Sequence, residues 1–383
     1  MGTYSEPLRT QSLGLYVHVP LCDGKCRYCG FYSEPAANHD LDRLVSALIS
    51  ELDRYPADTP VQTVYLGGGS PTSLPVGSLA RLLEAVASRW PGAREFTVEC
   101  NPGQTDARIL TVLRRFGVNR LSFGVQSFHA QELLLLGRRH TADDAVSAIR
   151  LAQESGFENI GLDLIFAIPG STPDAWHQNL HRAVALNVQH ISAYSLTVEP
   201  GTPLLQAVQA GELDAIDEDT DRAMYEMAID CLASAGFVQY EISNFAREGF
   251  ACLHNQGYWD NRSYIGIGPS ASSYDGGSRT TNIADIRQYV RRIEAGQSPA
   301  DESERLNDED RVCQTAVLNL RTRKGVDLAA FQATTGADFA EVFASPLERH
   351  RRLGLLEIEG GRVRLAREAL GIADSVLCDF SSF

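Results

Sequence analysis

The 383-residue sequence contains no apolar run of about eighteen residues, so nothing in it reads as a membrane span. Its first stretch, MGTYSEPLRTQS, lacks the apolar core of a signal peptide. Glu6 stands where the N-myristoylation pattern needs serine or threonine. Internal repeats and low-complexity tracts are also missing. Positive charge is scarce: 34 Lys and Arg against 49 Asp and Glu, a net charge of −15. Such a chain is a poor electrostatic match for nucleic acid or an anionic lipid surface, although a local basic patch is not excluded. These absences leave a cytoplasmic globular protein as the expectation. Its 44% hydrophobic and 22% charged residues suit a soluble enzyme. The length allows one large barrel-type domain and a smaller one.

What is present is concentrated. Three of the eight cysteines fall within PLCDGKCRYCGFYSE: Cys22, Cys26 and Cys29, spaced C-x3-C-x2-C. In a reducing compartment such a cluster is a metal or redox site rather than a disulfide staple. The scattered Cys100, Cys231, Cys252, Cys313 and Cys378 read as small buried residues.

The first 240 residues alternate between strand and helix. Strands are expected at 14–19, 61–66, 95–100, 119–125, 159–168 and 190–196, each followed by a segment of helical period. One helix carries Leu41, Leu44, Val45, Leu48, Ile49 and Leu52 on one face. Another has Thr141 and Asp144 as a variant capping box, and a third has Thr172 as N-cap with Pro173 at its first position. Six strand–helix units predict a parallel sheet with crossover helices. The fold class is therefore α/β: an incomplete (β/α)6 barrel of the TIM type or, failing that, an open doubly wound sheet. One more strand is expected over 238–246, a Gly/Ser-rich loop region over 257–282 and an acidic connector over 296–310. The C-terminal part reads as short helices plus a hairpin turning at Gly360-Gly361, a winged-helix-like α+β module. The organisation is 1–236, a partial barrel; 237–300, a connecting region; and 301–383, the C-terminal module.

Ligands of such sheets sit beyond the carboxyl ends of the strands. Unusual polar residues collect there: the cysteine loop, the glycines of GGGSPT (67–72), Glu99, Asn101, Gln126 and Glu199. Asp163 falls inside the fifth strand, where an inward carboxylate needs a partner. Three thiolates can wrap a [4Fe–4S] cluster and leave its fourth iron open for an exchangeable ligand. Lys25 and Arg27 favour the thiolate form. A three-cysteine zinc site with a distant fourth ligand is the alternative. Glu99, Gln126 and Asp163 are candidates for ribose hydroxyls or an amine, and Arg138 for a carboxylate. Further along, CLHNQGYWD (252–260) sets His254 with Asn255 beside Tyr258 and Trp259, a candidate metal or haem ligand next to planar rings.

LYVHVPLC, GGGSPTSL, LSFGVQSF, DLIFAIPGST and YSLTVEPGTPL resemble the radical S-adenosylmethionine (SAM) enzymes of the oxygen-independent coproporphyrinogen III oxidase group. EISNFAREGFACLHNQGYW and YIGIGPSASS are similar to the HemW-type haem chaperones of that group. The resemblance runs from about Leu13 into the C-terminal module. It implies a radical SAM barrel with a [4Fe–4S] cluster on Cys22, Cys26 and Cys29 and SAM on its open iron. Tyr16, Gly68 and Glu99 match positions of a first SAM site. Tyr28, Gly69, Ser70, Gln126, Arg138, Asp163 and Thr197 match positions around a second, with Ser70 replacing the usual threonine and Gly30 a usual acidic residue. His254 matches the leading haem contact. The oxidases carry a fourth cysteine two residues after the third, and this chain has Phe31 there; their N-terminal arm is also longer. The resemblance thus implies haem carriage to acceptor haem proteins, respiratory membrane-bound ones included, with homodimers and peripheral membrane contact among the expected states. The alternative is decarboxylation of coproporphyrinogen III in porphyrin biosynthesis. DNA binding through RTRK (321–324) is a third reading that the acidic balance disfavours.

Overall fold

The computed structural model describes residues 13–382; the N-terminal stretch read above for targeting signals lies outside them. Six parallel strands form its centre: β1 (Leu13–Val19), β2 (Val61–Gly68), β3 (Glu95–Cys100), β4 (Arg120–Gln126), β5 (Ile160–Phe166) and β6 (His190–Ser195). They pair strictly in chain order. A doubly wound sheet would reverse its order at a switch point. Sequential order with right-handed crossovers puts every helix on one face and curls the sheet into a partial barrel.

The alternation of each strand explains what lies inside. Along β4, Leu121, Phe123 and Val125 are buried in the core, each worth roughly 1.5–3 kcal/mol on full burial. The other face of β4 carries Arg120, Ser122, Gly124 and Gln126, which line the lumen. Strands β5 and β6 repeat the pattern, with Asp163, Ile165, His190, Ser192 and Tyr194 inward. The barrel is apolar where it meets the helices and polar within, whereas a filled β/α barrel packs its interior with branched apolar side chains. Helix caps hold the outer layer in place. Asp40 accepts from the Arg43 N–H at the start of helix Leu41–Leu52, the Thr141–Asp144 capping box is complete, and Thr172 caps the helix that begins at Pro173.

Beyond residue 236 the chain departs from the expectation. The strand expected over 238–246 is a hairpin, β7 (Val238–Gln239) and β8 (Asn244–Ala246), with β8 antiparallel to β6. The expected loop region at 257–282 holds β9 (Tyr264–Ile267), β10 (Ser272–Tyr274) and β11 (Ser278–Asn282). The expected connector contains edge strand β12 (Ala300–Arg305). The result is one twelve-stranded sheet, β12-β11-β10-β9-β1-β2-β3-β4-β5-β6-β8-β7, in which β9 runs parallel to β1. Buried Glu51 ties this extension to the helices: it accepts from the Gly268 N–H (2.8 Å), Asn282 Nδ2 (2.8 Å) and the Tyr289 hydroxyl (2.5 Å).

The C-terminal module has a three-stranded sheet: β13 (Val326–Asp327), β14 (Leu356–Glu359) and β15 (Arg362–Leu365). The last two form the expected hairpin, with positive φ at both Gly360 and Gly361. Of the scattered cysteines, Cys378 is exposed rather than buried, because its helix turns that face to solvent; Cys231 is partly buried.

Candidate functional site

β1 ends at Val19 and the chain loops out over the carboxyl end of the sheet. Short paired segments, Leu21–Cys22 and Glu34–Pro35, close the neck of this loop. Two backbone bonds anchor it: the Arg27 N–H donates to the Leu136 carbonyl (3.0 Å), and the Arg27 carbonyl accepts from the Leu204 N–H (2.9 Å). Cys22, Cys26 and Cys29 then face one cavity of about 690 Å³ that descends into the lumen. Arg138 braces the loop from beyond β4, with Nη1 3.5 Å from Cys26 Sγ and Nη2 donating to the Gly124 carbonyl at 2.7 Å.

The local charges work differently from the expectation. Burial pushes the Cys22 and Cys29 thiols up, and this outweighs Lys25, which pulls both down. Arg138, not Arg27, is the second cation acting on Cys29. For Cys22 and Cys29 burial thus favours the thiol, and iron coordination is what would favour the thiolate. Among the described residues, no three His, Cys, Asp or Glu side chains converge on a single-ion position. A cubane does not ask its thiolates to converge, because each binds a different iron. Three cysteines on one cavity wall with an arginine beside them fit such a cluster.

Every other residue matched to a SAM site lines the same cavity: Tyr16, Tyr28, Gly68, Gly69, Ser70, Glu99, Gln126, Arg138, Asp163 and Thr197. The glycines after β2 are there for space. Gly68 has φ +107°, and a Cβ on Gly69 would lie 2.3 Å from the Leu21 carbonyl oxygen. Glu99 Oε1 accepts from the Tyr65 hydroxyl (2.8 Å) and Oε2 from the Gly68 N–H (3.1 Å). Burial nonetheless pushes its carboxyl up to about 7, with Asp163 adding to the shift. The partner that Asp163 needs is Ser192; burial raises Asp163 as well. Gln126 sits at a break in register with φ 68°, a left-handed backbone that glutamine rarely adopts. At the mouth, Phe31 is 72% exposed. A Cβ on Gly30 would lie 3.2 Å from Glu199 Cγ, so this chain has Glu199 where an acidic side chain at 30 would extend.

His254 lies elsewhere. Helix Leu253–Trp259 crosses the amino end of the barrel. Glu95, the first residue of β3, accepts from the backbone N–H groups of Leu253 and His254, both at 2.9 Å. The imidazole is 3% exposed. Its Nδ1 is 2.9 Å from Thr63 Oγ1, its Nε2 is 3.0 Å from the Tyr258 hydroxyl, and its ring stacks on Tyr65. Burial, then Arg120, lowers its pKa to about 3, so the ring is neutral. A smaller cavity of about 160 Å³, lined by Gly14, Thr63, Arg94, Tyr258 and Arg262 among others, opens beside it. At about 3.3 Å per residue, strands of six to eight residues separate this end from the cysteine loop by roughly 20 Å. The C-terminal module docks on this same helix: Asn319 Nδ2 donates to the Trp259 carbonyl (2.7 Å) and Arg321 lies over the Trp259 ring. The basic RTRK segment is engaged within the chain, Arg321 with Asp374 and Arg323 with the Leu365 carbonyl.

Reading strand ends alone overlooks Arg120, Ser122, His190, Ser192 and Asn255, which line the same large cavity. The period-two alternation of RLSFGVQ and HISAYS would have found the first four.

The chain matches the description "Radical SAM superfamily" over residues 16–183 and "HemN C-terminal domain" over 306–370. It is 34% identical to "Heme chaperone HemW" of Bacillus subtilis, covering 95% of this chain and 98% of that protein. To the protein of the same name in Mycobacterium tuberculosis it is 36% identical, covering 97% and 95%. The mitochondrial "Radical S-adenosyl methionine domain-containing protein 1" of Mus musculus is 33% identical over 95% of this chain and 86% of that one. Among solved structures, coproporphyrinogen III oxidase (HemN) from Escherichia coli superposes with a TM-score of 0.85 over 98% of this chain and 91% of its own. Its 22% identity makes that a likeness of fold alone.

Proposed function

We propose a function from one premise: the chain belongs to the HemW-type haem chaperone family of the radical SAM superfamily. It binds haem and passes it to acceptor haem proteins, while its cysteine loop holds a [4Fe–4S] cluster with SAM. The observation that carries this reading is the near full-length match to the chaperones, joined to a neutral, ring-stacked His254 beside a cavity. Neutral imidazole is the form that ligates iron. Phe31, in place of a fourth cysteine, supports carriage over porphyrin oxidation. Acceptors at a membrane, a cytoplasmic location and a homodimeric state belong to the same proposal; no described helix is long and apolar enough to cross a membrane. The test is an optical titration of the purified chain with haemin, followed by mixing with an apo-haem protein. A saturable Soret band that moves to the acceptor is expected. Unsaturable binding, or haem that stays put, would sink the reading.

The cavity residues then divide the work. Cys22, Cys26 and Cys29 would hold the cluster, whose chemistry there would be one-electron reduction of SAM. Glu99 and the Gly68 backbone take the amino group of the first SAM, Gly69, Gln126 and Asp163 belong to the second site, and Arg138 steadies the loop. This assignment has a pH signature. An ammonium group pairs with ionised Glu99, whose pKa is about 7. SAM affinity should rise about fivefold from pH 6 to 7 and about twofold more before it levels off above pH 8, and Glu99→Gln should flatten the profile. Stability of the ligand-free protein runs the other way. The folded pKa exceeds the ordinary 4.5, so the fold favours the protonated carboxyl, and this contribution is lost as pH rises from 4.5 through 7. Calorimetric SAM titrations at several pH values check the first statement, and thermal melts the second.

A further inference from the structure

We propose that the floor of the barrel lumen is a binding site for a short carboxylate, held between Arg120 and His190. The inference does not depend on haem at His254. Arg120 opens β4 with its side chain inward and is 1% exposed. A guanidinium keeps its charge at any pH the protein meets. Its Nε and Nη1 have no hydrogen-bond partner, and no carboxylate reaches it within ion-pair distance among the described residues. The acids around it are committed elsewhere. Glu95 accepts from the Cys252 thiol and the N–H groups of Leu253 and His254, Glu99 from Tyr65 and Gly68, and Asp163 from Ser192. These acids act on the charge from a distance without binding it, and buried donors left without a partner are costly unless something comes to accept from them.

His190 supplies the second donor. Its Nε2 is 2.9 Å from the Tyr240 hydroxyl, and its Nδ1 is buried without a partner. In the tautomer where Tyr240 donates, Nδ1–H is free to donate as well. Gly161 lies between the two groups: a Cβ built on it would be 3.3 Å from both Arg120 Nη2 and His190 Nδ1. The glycine thus leaves the gap open, and Arg120 and His190 both line the cavity that rises to the cysteine loop. Thr97, the register partner of Arg120, adds an unpartnered hydroxyl.

The charge balance selects the ligand. One guanidinium and one neutral imidazole offer a single positive charge and a two-pronged donor, the complement of a carboxylate. A doubly charged phosphate would leave excess negative charge near Glu95, Glu99 and Asp163. The gap spans one missing side chain, so the carboxylate end is short and the rest of a larger acid extends up the lumen.

The test uses the full chain and sodium propionate, with propionamide and inorganic phosphate as controls. Thermal unfolding and the shift of 13C-carboxyl propionate are recorded for the parent, Arg120→Gln and Gly161→Ala. Propionate should stabilise the parent saturably and the controls should not. Arg120→Gln should bind propionate at least tenfold more weakly, its melt without ligand serving only to show that it folds. Gly161→Ala should keep the fold and weaken propionate similarly. If Arg120→Gln does not fold, Gly161→Ala decides. The proposal is overturned if the parent shows no saturable response, responds equally to propionamide or phosphate, or if either folded variant binds propionate like the parent.

Discussion

Replacing His254 with alanine lowers haem affinity on the order of a hundredfold, about 2.7 kcal/mol, while the cysteine loop still assembles its cluster. The ring is held neutral by burial and the nearby arginine, so no proton competes with iron over the working pH range. Its orientation is fixed by Thr63 at Nδ1 and by stacking on Tyr65. Nε2 is the nitrogen to offer, and the Tyr258 hydroxyl covers it at 3.0 Å. Iron therefore has to displace that hydroxyl, which makes Tyr258→Phe an informative companion. It should take up haem faster and bind it at least as tightly as the parent. His254→Ala also leaves a cavity and an unpaired Thr63 hydroxyl, a cost of about 1–3 kcal/mol to stability. Circular dichroism and iron content on the same sample separate that cost from the loss of the ligand. Unchanged haem affinity in folded His254→Ala would exclude this histidine.

Alanine at any one of Cys22, Cys26 or Cys29 takes bound iron from about four per chain to near zero and abolishes SAM binding. No nearby group can substitute, since no other cysteine lines that cavity wall except Cys100, which sits at the end of β3 with its thiol against the Val98 carbonyl. Haem affinity in the same variants should stay within about twofold of the parent. The reason is distance: the two candidate sites lie at opposite ends of strands roughly 20 Å long. Iron analysis and haemin titration on each variant read both effects. A parallel loss of haem would mean that the two ends are one site.

The separation of those sites is what the sequence conceals. The six central strands were legible because each is a run of alternating or apolar residues long enough to show its period. The cysteine loop was legible because its chemistry is local. Residues 238–282 were not: β7 through β11 are two to five residues long, rich in Ser, Gly and Thr, and held by partners far away in the chain. The sequence sets His254 beside Tyr258 and Trp259 but does not say where it lies relative to the cysteine loop, which depends on helix Leu253–Trp259 passing under the barrel, capped by Glu95. Arg120 was hidden differently. A single arginine opening a strand reads as a rim residue, and only the inward alternation of its strand places it at the bottom of the lumen.

Anaerobic titration of cluster-loaded protein with haemin, followed at the Soret band, tests the central claim most directly. The expected result is one saturable transition, lost in His254→Ala and kept when the cysteines are replaced. The contradicting result is the absence of any saturable haem binding by the folded parent.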